Sequence, residues 1–174
     1  YMLGVGVTFF IFTIFASGYS TRQAMQIISH ELTHTFFAYL TLHTAGRLRL
    51  NPDGSGGSMS LNGHGNWLIT LSPYFFPLFA FFYMLIMPLL AEATDSHWIL
   101  YAILGYFLAY HWLVVLTQTH LQQTDIIREG YVFSGFIIIG GNLFTTGFIL
   151  AFASKSWDGI AIFWNLVNKL NLQY

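Results

Sequence analysis

The sequence predicts an all-α polytopic membrane protein with about five transmembrane helices, a small β-hairpin insert and a C-terminal amphipathic helix. Three observations predict it. Only 7% of the 174 residues are charged while 55% are hydrophobic, against roughly 25% charged in a soluble domain. The mean hydropathy is +0.59. The apolar residues also fall into runs near the roughly 20 residues that cross a bilayer's hydrocarbon core. One domain spanning residues 1–174 is the natural division at this length. A net charge of −1 gives no basic footprint for nucleic acid. With no cysteine, disulfides, cysteine-zinc sites and thiol nucleophiles are excluded.

The elements follow in order along the chain. Residues 2–18 form an uncharged apolar stretch and predict a first span. Residues 23–45 predict a second, interrupted by His30, Glu31, His34 and His43. Between it and the third span lies a non-membranous insert, residues 46–65. There Arg47 to Leu50 and Gly57 to Leu61 alternate in polarity around an Asn-Pro-Asp-Gly turn, which predicts a β-hairpin. Residues 67–91 and 97–117 are cleaner spans, separated by the short acidic turn Glu-Ala-Thr-Asp-Ser, and residues 131–153 make a fifth. In the tail, residues 155–174, Ile162, Phe163, Leu166, Val167 and Leu170 share a helical stripe beside Trp157 and Trp164, the pattern of an interfacial amphipathic helix.

Seven histidines exceed the six lysines and arginines combined, a strange allotment for a chain that avoids polar surface. Residues 30–34 read His-Glu-Leu-Thr-His, the H-E-x-x-H pattern. On a helix, positions i and i+4 share a face, so the imidazoles of His30 and His34 can converge on one Zn²⁺. Glu31 beside them can take a proton from a water activated by the metal and pass it to a leaving amine. These are the parts of metal-assisted peptide hydrolysis. Shuffling this composition would produce the pattern only about 0.005 times. Ionisable groups inside an apolar helix are costly, and they point to function by default. The structural alternative is a polar-faced helix whose histidines are hydrogen-bonded to neighbours.

The sequence resembles the site-2 proteases, a family of intramembrane zinc metalloproteases. The resemblance covers roughly residues 20–135. It rests on Ser-His-Glu-Leu-Thr-His-Thr-Phe-Phe-Ala-Tyr-Leu in an apolar helix, the Gly-rich insert, Leu71-Ser72-Pro73-Tyr74 opening the next span, and a later aspartate. The family's Leu-Asp-Gly and Asn-Pro signatures are absent; Thr124-Asp125-Ile126 stands in place of the first, as in a divergent, minimal member. The resemblance implies a zinc cofactor, Asp125 as third ligand, and a membrane-anchored protein substrate cut within or near its spanning helix.

The residues themselves leave the third ligand more open. Asp53 lies in a turn, Glu92 and Asp95 in the acidic loop, and Asp158 at the start of the tail helix, each with a sufficient structural explanation. Asp125 must reach the depth of His30 and His34 inside the bilayer. His111, in the middle of the fourth span, is the competing ligand, or else a partner of a ligand or a core histidine. His120 can support the Asp125 loop, bind substrate or sit at the interface. Gly57, Ser58, Met59, Ser60 and Leu61 are candidates for a strand edge that holds substrate as extended chain. Asn142 can bind a substrate carbonyl, though a Gly-Gly-Asn-x-x-Thr-Thr stretch more readily marks close helix packing. Two rival functions remain: a non-catalytic metal- or haem-binding membrane subunit, with His34 and His111 bracketing a haem, and a scaffold within a larger assembly of partner subunits.

Overall fold

Helices α1 (Met2–Ala16) and α2 (Tyr19–Leu40) open the chain in a computed structural model that describes residues 2–50, 57–62 and 65–171. The strands β1 (Thr44–Leu50) and β2 (Gly57–Asn62) follow, then a short α3 (Trp67–Leu71), a 3₁₀ turn at Ser72–Tyr74 and α4 (Leu78–Glu92). The chain closes with α5 (His97–Gln118), a short α6 (Thr124–Glu129) and α7 (Tyr131–Asn171). The architecture is all-α around the site. β1 and β2 pair antiparallel from Thr44 opposite Asn62 to Leu50 opposite Gly57, with an irregular register between Ala45 and Leu48. The turn expected at residues 51–56, and residues 63–64, lie outside the described residues.

α1 is apolar at nearly every position, as suits a helix with no water-facing side. It crosses α5 through reciprocal glycines. A Cβ on Gly6 would collide with the Ala102 carbonyl, and one on Gly105 with the Leu3 carbonyl. Only glycine lets two backbones touch in this way, the small-residue contact that replaces hydrophobic driving force between membrane helices. Aromatic side chains extend the seam, with the ring of Phe10 edge-on to Tyr106 at 5.2 Å.

The five expected spans are not what the helices form. Two of them, α5 and α7, are long and apolar enough to cross a membrane, or three if the bent pair α3 and α4 counts as one span. α1 has 15 residues and is short of spanning length. α2 is long enough, but the polar residues of its buried face lower its hydropathy below that of a span. The run 67–91 reads as continuous in the sequence, yet Pro73 and Pro77 break it and the two halves meet at 81°. Breaking a helix frees carbonyls that hydrocarbon cannot satisfy. Here side chains satisfy them: His34 bonds the Ile69 carbonyl, Asn142 the Tyr74 carbonyl and Thr145 the Phe75 carbonyl.

The main apolar core lies where α4, α5 and α7 meet, around Met84, Leu104, Ile149 and Phe152. A smaller cluster of Leu71, Tyr74, Ile126 and Ile138 sits beneath the polar cluster of α2 and anchors α6. α7 breaks at Lys155 and Ser156, where φ of Ser156 is +55°. The tail then folds back: Phe163 packs on Phe144 and Phe148, and a Cβ on Gly159 would meet the Ala151 carbonyl. Of the expected apolar stripe, Phe163 and Val167 are partly covered, while Ile162, Leu166 and Leu170 face outward. Large apolar side chains also cover the outside elsewhere, among them Phe15, Leu116, Val132 and Phe136. An exposed apolar surface of this breadth fits lipid rather than water.

Candidate metal centre

One face of α2 is buried at Gln26, Ser29, His30, Thr33, His34 and Phe37, the helical spacing of three and four residues, and Glu31 is buried beside it. Thr33 and Thr35 return their hydroxyls to the carbonyls of Ser29 and Glu31 one turn earlier, so their polarity is satisfied within the helix. The imidazoles are held from outside. Nδ1 of His34 donates to the Ile69 carbonyl at 2.7 Å. That carbonyl has no helical backbone donor because the residue four positions later is Pro73, which has no N–H, and it accepts from the Ser72 hydroxyl at 3.1 Å as well. With its proton on Nδ1, His34 presents the bare Nε2 lone pair.

Both Nε2 atoms face one carboxylate oxygen. Asp125 Oδ2 lies 3.5 Å from Nε2 of His30 and 3.4 Å from Nε2 of His34. A charge-assisted hydrogen bond would be about 2.7–2.9 Å. Two ligands about 2.0–2.1 Å from one tetrahedral ion stand about 3.3–3.4 Å apart. The observed spacing matches the second arrangement, and the three donor groups lie within 4.8 Å of one another. Two imidazoles and one carboxylate are also the protein ligands of one kind of catalytic zinc site, which keeps its fourth position open.

Asp125 reaches the histidines through its neighbours. It stands in the first turn of α6, where the next residue, Ile126, is buried against Leu71 and Tyr74 and seats the helix. The Tyr74 hydroxyl donates to Asp125 Oδ2 at 3.0 Å. The Tyr74 ring also stands edge-on to His30 at 5.1 Å.

The other candidates are placed differently. His111 stands outside the group of three: its Nε2 meets Asn142 Oδ1 at 2.9 Å. Asn142 is buried and donates to the carbonyls of Tyr74 and Ile138, a packing role that ties α7 to the broken segment. His120 is exposed in the turn before α6. Gly57, Ser58, Met59, Ser60 and Leu61 lie in β2, whose pairing is described, while their side chains lie outside the described residues. The Nε2 atoms of His34 and His111 face Asp125 and Asn142 respectively, rather than a shared haem-sized gap. Sequence reasoning missed Tyr74 as a partner of the carboxylate. It also missed the Ile69 carbonyl, whose signal was the proline four residues later.

The chain is thus a helical protein of membrane character in which two buried histidines and a part-buried aspartate form a group that could hold a metal ion. The chain belongs to the Peptidase M50B-like family, whose family model matches residues 3–151, and so to the site-2 protease family. No curated protein and no solved structure matches the chain.

Proposed function

We propose that the chain is a multi-pass, zinc-dependent intramembrane endopeptidase that cuts membrane-anchored protein substrates. One observation carries this reading: His30, His34 and Asp125 converge with ligand spacing on a buried helix face that also bears Glu31. His30 and His34 would hold the metal through Nε2, and Asp125 through Oδ2. A zinc ion bound there supplies a Lewis acid that activates water and polarises the scissile carbonyl. Glu31 takes the water's proton and delivers it to the leaving amine. Tyr74 holds Asp125 Oδ2 in place through its hydroxyl. The β1–β2 ribbon offers a strand edge on which substrate can lie extended, and extended backbone is what a protease must be given.

Metal content and cleavage of a single-span reporter protein in proteoliposomes test the assignment together. Wild type is expected to carry one zinc per chain and to lose activity with a chelator. Glu31→Gln should keep the zinc and lose cleavage, whereas Asp125→Ala should lose both. Undiminished cleavage by Glu31→Gln would sink the mechanism, and full zinc in Asp125→Ala would remove Asp125 from the ligand set.

A further inference from the structure

A small cavity of about 20 Å³ lies between α2, the broken segment and α5, where Ser29, His30, Thr33, Tyr110 and His111 line it among apolar neighbours. One buried water needs roughly 10–15 Å³ and two to four polar partners. The polar groups around this cavity meet that need in a definite pattern.

Asn142 uses both amide hydrogens, since Nδ2 donates to the Tyr74 carbonyl at 2.7 Å and to the Ile138 carbonyl at 2.8 Å. Its Oδ1 is therefore the atom that meets His111 Nε2 at 2.9 Å, and that nitrogen must carry the proton. A neutral His111 then has a bare Nδ1, an acceptor. His30 is the reverse case. Its Nε2 faces Asp125, so as a metal ligand it carries its proton on Nδ1, and this buried atom has no partner among the described residues. The neighbouring hydroxyls are already donating: Thr33 to the Ser29 carbonyl, Ser29 to the Gln26 carbonyl and Tyr110 to the Met25 carbonyl. Each still offers an oxygen lone pair.

We propose that this cavity is a site for one structural water that accepts from His30 Nδ1–H and donates to His111 Nδ1 and to a lining hydroxyl oxygen. His111 is then a positioning residue for the His30 ligand. A metal-bound histidine nearly always donates its second N–H to a fixed acceptor. His34 does so directly, to a carbonyl freed by Pro73. His30 does so through the water, His111 and Asn142, which link it to the Tyr74 backbone. Tyr74 in turn holds Asp125, so the bonds form a closed ring around the centre.

The proposal rests on the reading of His30 and His34 as ligands, and its test separates the two. The full chain in detergent is titrated with Zn²⁺ against a chromophoric chelator, as wild type, His111→Leu and His111→Gln. Loss of an outer partner costs about 10–100-fold in metal affinity, so His111→Leu should lose that much and still reach one zinc per chain at saturation. Glutamine offers both an acceptor oxygen and an amide donor, so His111→Gln should recover most of the loss. Nitrogen-15 NMR of histidine-labelled wild type supplies a readout that needs no variant to fold, and should show His111 protonated at Nε2 and bare at Nδ1. Wild-type affinity in His111→Leu, no recovery in His111→Gln, or a proton on His111 Nδ1 would each overturn the proposal. So would loss of stoichiometric zinc in His111→Leu, which would make His111 a ligand. A wild type that binds no zinc refutes the ligand reading itself.

Discussion

Tyr74 is completely buried, and its hydroxyl donates the one side-chain hydrogen bond seen on Asp125 among the described residues. Tyr74→Phe keeps the ring against His30 and removes only that bond. A hydrogen bond to a charged acceptor contributes about 1.5–3 kcal/mol, and a lost outer partner lowers metal affinity by at least about 10-fold. Chelator competition on Tyr74→Phe is expected to show weakened zinc binding with unchanged stoichiometry; affinity equal to wild type would deny Tyr74 its role. The contrast with His30, Glu31 and His34 explains what was legible at this scale. Those three residues are local neighbours on one helix, so their spacing in the sequence is their spacing in space. Tyr74 meets Asp125 across 51 residues, and no local pattern encodes such a contact. Asp125 was readable modestly by weighing the other carboxylates, and more firmly through the family resemblance.

Pro73 governs the element scale. Because it cannot donate, the helix begun at Trp67 stops at Leu71 and the Ile69 carbonyl is left to side chains, His34 and Ser72. Pro73→Ala restores a donor four residues beyond Ile69 and sets the backbone in competition with the imidazole. Zinc affinity is expected to fall about 10-fold, while circular dichroism shows helix content that does not decrease. Tight zinc binding in this variant would show that His34 needs no outside acceptor. The same proline explains why one of the five expected spans is a bent pair rather than a single rod; α1 and α2 drop out for their own reasons, length and polarity. Hydropathy counts apolar residues and passes over a break, so residues 67–91 read as one rod where the chain turns by 81°. α2 misleads in the same direction, since its apolar run hides a polar face. The break before the tail was readable from composition, but its fold-back onto α7 depends on Gly147 and Gly159 meeting Phe163 and Ala151.

Across the whole molecule, α1 is fastened to α5 by two glycines that admit no side chain. Forcing extra atoms into a packed contact costs typically about 1–3 kcal/mol, and here backbone opposes each added Cβ, so Gly105→Val should lie at the upper end. Thermal unfolding in detergent is expected to show a clearly lower midpoint, with zinc still bound at one per chain because no ligand lies on α1 or α5. An unchanged midpoint would mean that α1 is loosely attached. The membrane character of the chain was legible from its charge content alone, since lipid as solvent leaves its mark on every exposed position. The seam of α1 on α5 was not, because an isolated glycine in an apolar run does not announce which distant helix it touches.

The broken segment also sets a timetable for synthesis. Its carbonyls at Ile69, Tyr74 and Phe75 depend on His34, Asn142 and Thr145. His34 has emerged before the break is made, whereas Asp125, Asn142 and Thr145 follow 50 or more residues behind Tyr74. Until α6 and α7 arrive, a nascent chain holds two histidines without the carboxylate and two carbonyls without their donors. The protease proposed above would in this way stay incomplete at the translocon until α6 and α7 have been delivered.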